Sequence, residues 1–191
     1  MRIVSGSARG RKLFSPPDQV KSIRPTADRA REALFSIIGT RIIGSSVLDL
    51  FAGTGAFGCE ALSRGAARAV FVDNSNLALD LIRKNLTLIP EGTVRSKVIK
   101  FDLGRGLAAP LLARLGDCPF DLVFADAPYL TRLSTTVLSA LDKHCNLLKD
   151  PLIIIEERKD FNPQDKLDNL HQTDFRRYGV SSFFFYALNP K

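Results

Sequence analysis

The tetrapeptide Asp126-Ala127-Pro128-Tyr129 closes an apolar run, Phe120-Asp121-Leu122-Val123-Phe124-Ala125. It brings together a carboxylate, a backbone bent by proline and an aromatic ring. At the end of a buried strand, those groups suit gripping a planar base that carries an exocyclic amino group. The carboxylate accepts one N–H, a backbone carbonyl accepts the other, and the ring stacks on the base face. An ordinary strand followed by a proline turn would give the same string, so the tetrapeptide needs support from elsewhere in the chain.

A second stretch supplies it. Asp49-Leu50-Phe51-Ala52-Gly53-Thr54-Gly55-Ala56-Phe57-Gly58 follows an apolar run, and Gly53, Gly55 and Gly58 satisfy G-x-G-x-x-G. This pattern turns a strand into a helix and lets a cofactor approach the backbone. In a dinucleotide enzyme the helix N-terminus would hold pyrophosphate. Asp49, just before the loop, disfavours an anion there and favours the ammonium and sulfonium of S-adenosyl-L-methionine. Two more acids fall at strand ends. Asp73 closes Val70-Phe71-Val72 and could accept the ribose hydroxyls; Asp102 closes Val98-Ile99-Lys100-Phe101 and could accept from an adenine amino group or cap the following helix. All lie where an open α/β sheet binds its ligand, at the carboxyl ends of its strands.

The elements that must position these residues follow from periodicity. Strands are expected at Val47–Phe51, Ala69–Asp73, Lys97–Asp102, Phe120–Ala125 and Leu152–Glu156, with helices at about 57–64, 75–88, 104–115 and 131–146. Near-continuous apolar strands alternating with helices imply a parallel sheet covered on both faces. Ser75 is placed to cap the helix carrying Ala78, Leu81, Ile82, Asn85 and Ile89, and Pro90 to stop it. An earlier helix opens at Pro25-Thr26, carries the stripe Ala30, Ala33, Leu34, Ile37 and Ile38, and ends at Gly39. Arg176–Val180 and Ser182–Leu188 read as an antiparallel pair on the sheet edge, and Asp160–Gln172 as a polar loop. Residues 1–14, with Gly6 and Gly10, suit a small hairpin or basic flap, separated by Ser15-Pro16-Pro17-Asp18. The expected division is therefore a basic N-terminal extension over 1–22 and a catalytic domain over 23–191.

Charge is concentrated at the start. Residues 1–31 hold eight Lys/Arg against two acids, which is +6 of the +7 carried by all 191 residues. That asymmetry reads as a phosphate-binding patch. At 45% hydrophobic and 25% charged the chain can build a full core. No apolar run reaches the length of a membrane span, and Met1-Arg2-Ile3-Val4-Ser5-Gly6 lacks a signal-peptide apolar region. Cys59, Cys118 and Cys145 are widely spaced, as are His144 and His171, so no metal site and a cytoplasmic location are expected.

With these residues in view, the chain resembles the class I methyltransferases that act on amino nitrogens, whose motif is Asp/Asn-Pro-Pro-aromatic. Gly10-Arg11-Lys12-Leu13, Arg24-Pro25-Thr26-Ala27-Asp28-Arg29-Ala30-Arg31-Glu32 and Arg177-Tyr178-Gly179 resemble the RsmD family of bacterial guanine-N2 methyltransferases of small-subunit (16S) ribosomal RNA. The resemblance implies a Rossmann-like, seven-stranded, mostly parallel sheet with an antiparallel last strand and an N-terminal hairpin that helps hold RNA. It implies S-adenosyl-L-methionine contacts at Asp49, Phe51, Ala52, Gly53, Thr54, Gly55, Gly58, Asp73, Asn74, Asp102 and Leu103. Asp126, Ala127, Pro128 and Tyr129 would hold the target amino group for in-line transfer. Arg9, Arg11, Lys12, Arg24 and Arg29 would meet RNA, with ribosomal RNA or the small subunit as partner and a monomer as the active form. Ala127 departs from the motif's first proline, and Asp73 stands where many relatives carry Glu. Adenine-N6 methylation of DNA and an NAD-binding oxidoreductase are the alternatives; the chain is short for a DNA-recognition domain, and Asp102 with the 126–129 motif weighs against the oxidoreductase.

Overall fold

Seven strands build one sheet in the order β3-β2-β1-β4-β5-β7-β6. The computed structural model describes residues 1–16, 28–116, 119–128, 131–158, 167–178 and 181–190, without the side chains at 28, 29 and 181. In chain order the elements are α1 (Asp28–Ile38), β1 (Ser46–Leu50), α2 (Ala56–Ser63), β2 (Arg68–Asp73), α3 (Asn76–Leu86), β3 (Ser96–Lys100), α4 (Ala109–Leu115), β4 (Phe120–Asp126), α5 (Leu133–Lys143), β5 (Leu148–Arg158), β6 (Leu170–Tyr178) and β7 (Ser181–Leu188). Strands β1 to β5 pair in parallel, and β7 runs antiparallel between β5 and β6.

Side-chain alternation divides the core into two layers, because successive strand residues point to opposite faces. Val47, Phe71, Leu122, Phe124, Ile154, Phe183 and Phe185 meet α1, α2 and α3 on one face. Leu48, Leu50, Val70, Val72, Val123, Ile153, Ile155 and Phe184 meet α4 and α5 on the other. Asp49 and Asp126 continue the parity of Val47 and Phe124, so both acids belong to the α1 side of the sheet.

Several boundaries depart from the sequence pattern for identifiable reasons. The expected helix over 104–115 is a 3₁₀ turn, Leu103–Arg105, followed by α4; Gly106 at φ 64° breaks it, and Pro110 sits in the first turn of α4. Ser75 does cap α3, accepting from the Ala78 N–H at 3.3 Å, but α3 ends at Leu86, ahead of Pro90. The expected helix over 131–146 is α5 plus a 3₁₀ turn, Cys145–Leu147. Strand β5 begins at Leu148 because a register shift between Phe120 and Leu122 absorbs Asp150 and Pro151. Strand β6 begins at Leu170, inside the expected loop; its residues are mostly exposed, so no apolar alternation announces it. On α1 Ala30, Leu34 and Ile38 are buried as expected, joined by Arg31 and Phe35, whereas Ala33 is half-buried and Ile37 exposed. The Pro25-Thr26 helix start and Gly179 lie outside the described residues.

Residues 1–13 form the expected hairpin, closed by an antiparallel bridge between Arg2 and Lys12. It is seated on the body. Ile3, Ala8 and Leu13 are buried in the same layer as α1 and α2. The Glu60 carboxylate, itself buried, accepts from the Val4 and Ser5 N–H groups at 2.7 and 3.0 Å and from Arg64 at 2.7 Å. Asn85 accepts from the Phe14 N–H and donates to the carbonyls of Phe14 and Thr54, tying the hairpin's exit to the glycine loop. Replacing Glu60 by Ala strands two backbone donors and one guanidinium. Glu60→Ala should therefore lower stability by about 2–4 kcal/mol, as hydrogen bonds to charged groups contribute ~1.5–3 each with partial compensation by water. Urea unfolding monitored by circular dichroism measures this; a loss under ~0.5 kcal/mol would mean the hairpin is held by its apolar contacts alone.

Candidate active site

Strand order reverses direction between β1 and β4, and at such a switch point the connections leave to opposite sides and open a crevice. A cleft opens there, lined by Arg31, Asp49, Phe51, Ala52, Gly53, Thr54, Ala56, Phe57, Phe124 and Asp126. Residues separated by 77 positions in sequence, Asp49 and Asp126, thus share one site. Phe57 stacks on Phe124 with centroids 4.1 Å apart, giving the cleft a rigid aromatic wall.

The glycine loop takes the shape its composition allows. Gly53 and Gly55 have φ of 55° and 73°, a region closed to most side chains. Gly58 is fixed by space: a Cβ there would overlap the Phe71 ring and crowd the Asp49 carboxylate. That vacancy lets the Gly58 N–H donate to Asp49 Oδ2 at 3.0 Å. The Asp49 carboxyl is 1% exposed, and burial pushes its pKa well above the usual carboxylate range; the Gly58 N–H pulls it down, and neighbouring Asp73 pushes it up. A buried carboxylate beside a cleft is compensated by a cationic ligand. The donor set therefore fits S-adenosyl-L-methionine, with its ammonium and sulfonium, better than a pyrophosphate.

Asp73 and Asp102 stand at the ends of β2 and β3, farther along the same sheet edge and outside the lining of the cleft. Asp73 shapes the loop: its Oδ2 accepts from the Gly53 N–H and its Oδ1 from the Ser75 N–H, both at 2.9 Å. Each oxygen retains a second acceptor direction. Exposed Asp102 accepts from the Gly104 N–H at 3.0 Å and so caps the 3₁₀ turn, one of the two roles expected for it. Asn74 is exposed and Leu103 buried. Ala127 is buried and Pro128 exposed beyond Asp126; Tyr129 lies outside the described residues. On the hairpin Arg9, Arg11 and Lys12 are all exposed. Arg24 and the Arg29 side chain lie outside the described residues.

Arg31 was not singled out by the sequence reading. It is 1% exposed, lines the cleft, and donates to the Arg2 carbonyl of the hairpin at 2.6 Å. Its spacing to Leu34, Phe35 and Ile38 was the available signal, since a charged residue on the buried stripe of a helix demands a reason.

The strand order with an antiparallel seventh strand, the glycine loop over a buried acid and the Asp126 strand end define a class I S-adenosylmethionine-dependent methyltransferase. The family model described as "Conserved hypothetical protein 95" matches residues 1–187. This chain belongs to that family, the RsmD family. It is 36% identical over 156 residues to "Ribosomal RNA small subunit methyltransferase D" of Escherichia coli, covering 82% of this chain and 74% of the relative. It is 33% identical to "Putative rRNA methyltransferase YlbH" of Bacillus subtilis, over 97% and 98% of the two chains. The solved structure "Putative methyltransferase yhhF from Escherichia coli" superposes with a TM-score of 0.78 at 28% identity, over 100% of this chain and 99% of that one.

The raised Asp49 carboxyl yields a signed expectation. An acid whose folded-state pKa is raised costs stability as pH climbs from its unfolded value, about 3.9, toward the folded one. Asn can accept the Gly58 N–H without charge. Asp49→Asn should thus make the cofactor-free protein more stable than the parent near neutral pH, with the difference closing as pH falls through the aspartate range. Cofactor affinity should fall at the same time. Urea unfolding across pH, paired with calorimetric titration of S-adenosylmethionine, measures both; a destabilised variant at neutral pH would contradict the assignment.

Proposed function

We propose that this protein transfers a methyl group from S-adenosylmethionine to the exocyclic N2 of a guanine in small-subunit ribosomal RNA. On this reading it works as a cytoplasmic monomer without a metal. The observation that carries the reading is the meeting of Asp49 and Asp126 in one cleft at the sheet's switch point. The family's named members and the exposed basic hairpin support RNA as the substrate.

When bound, the cofactor supplies a methyl group already activated on a sulfonium. The chain's own part is placement. A guanine amino lone pair is delocalised into the ring and is a poor nucleophile. The Asp126 carboxylate would accept one amino hydrogen and the Ala127 carbonyl the other, fixing the nitrogen and stabilising the positive charge that develops on it. No strong base is required, because the methylated nitrogen becomes acidic enough to lose its proton to a nearby acceptor. Tyr129 would stack on the extruded base, worth about 1–3 kcal/mol. The buried Phe57–Phe124 wall and Ala127 keep water from the reacting atoms.

Asp126→Ala should abolish methyl transfer while leaving S-adenosylmethionine affinity within a few-fold of the parent. Calorimetry together with labelled-methyl incorporation into small subunits, large subunits, free RNA and DNA tests this. Label in the small subunit or its RNA is expected. Transfer to DNA, or loss of cofactor binding in Asp126→Ala, would overturn the assignment.

A further inference from the structure

We propose that Phe14, at the open end of the hairpin, is a stacking platform for an unpaired RNA base beside the target nucleotide. The proposal rests on the reading of the substrate as RNA and deepens it by a residue that the basic patch does not include.

Single exposed aromatics are common on protein surfaces. What sets Phe14 apart is how it is held. The residue is 49% exposed, yet its backbone is clamped at both polar groups by Asn85, which is fully buried. Asn85 Oδ1 accepts from the Phe14 N–H at 2.7 Å, and Asn85 Nδ2 donates to the Phe14 carbonyl at 3.1 Å. An aromatic residue fixed in this way loses little further freedom when a ligand settles on it.

The two ends of the hairpin touch different parts of the body. The turn is tied to the half of α2 away from the glycine loop: Val4 and Ser5 bond Glu60, and Ser7 and Ala8 bond Ser63. The open end is tied to the cleft. Arg31, a cleft-lining residue, donates to the Arg2 carbonyl. Asn85 Nδ2 donates to the Thr54 carbonyl at 2.8 Å as well as to that of Phe14, and Thr54 also lines the cleft. One side-chain nitrogen thus brings Phe14 alongside the glycine loop.

Alternation along the chain selects its neighbours. Leu13 is buried, so Lys12 and Phe14 on either side of it project outward. Arg2 pairs with Lys12 across the hairpin and shares that outward face. Arg2 and Lys12 are both exposed. Two cations and a ring at one end of the hairpin match a single RNA strand, whose phosphates pair with the cations while a base lies on the ring. A target base held at Asp126 has left its stack, and its departure uncovers a face of the adjacent base. Phe14 is placed to cover it.

The ring is exposed in the free protein, so its replacement tests binding rather than folding. The full-length parent, Phe14→Ala, Phe14→Leu and Phe14→Trp are titrated with a 16S ribosomal RNA transcript at several salt concentrations. Phe14→Ala should weaken binding about five-fold or more, as expected for one lost base–aromatic stack. Its log–log salt slope should match the parent's, because no phosphate contact is removed. Phe14→Leu, apolar but without a π face, should lose nearly as much, and Phe14→Trp should bind at least as tightly as the parent. S-adenosylmethionine affinity should stay within about two-fold in all three. The chain contains no tryptophan, so the indole of Phe14→Trp reports on this position alone, and RNA should quench it saturably. Phe14→Ala binding within about two-fold of the parent, full rescue by leucine, or indole emission that RNA leaves unchanged overturns the proposal. Labelled-methyl transfer by the parent is run alongside. A parent that neither binds nor methylates RNA defeats the substrate reading, whereas an active parent matched by Phe14→Ala defeats the stacking role alone.

Discussion

The Asp49 carboxylate, buried beneath the glycine loop and bound to the Gly58 N–H, is the constraint around which the rest of the molecule is arranged. Burying an acid is costly unless its partners are fixed. The chain fixes them by omitting a side chain at Gly58, so that α2 starts directly over the end of β1 and against Phe71. The opening of α2 then places Phe57 on Phe124, and the cleft acquires its wall. Asp73 finishes the loop by accepting from Gly53 on one side and Ser75 on the other. The cost left over at Asp49 is what a cationic ligand would relieve, which ties the proposed cofactor site to the way the loop folds.

A second set of contacts makes the N-terminal hairpin part of the body. Glu60, Ser63 and Asn85 present buried polar groups to the N–H groups of Val4, Ser5, Ala8 and Phe14. Arg31 reaches from α1 to the Arg2 carbonyl while lining the cleft, so hairpin and cleft share a buried cation. The exposed bases of the hairpin are held at a set position relative to Asp126. On the proposed function, a basic arm anchored in this way would define where an RNA chain enters.

The chain's own order of residues determined much of this. Asp49, the three glycines and Asp126 were legible because each needs a particular residue type at a strand end, and strand ends follow from apolar runs. The antiparallel pair at the edge was legible in its apolar member, β7. Strand β6 was legible only in its end from Arg176, since an exposed outer strand needs no apolar alternation and Leu170–Gln172 read as loop. Asn85 read as one position in an apolar stripe, and only the fold revealed it as a hub between the hairpin and the glycine loop. Tertiary structure alone decided that Arg31 is buried and that Asp73 braces the loop through Gly53. Such roles depend on which distant backbone groups arrive within hydrogen-bond reach, and local periodicity carries no record of them. The sequence set the chemistry available at each strand end; the order in which the strands pair, reversing between β1 and β4, decided which of those ends meet.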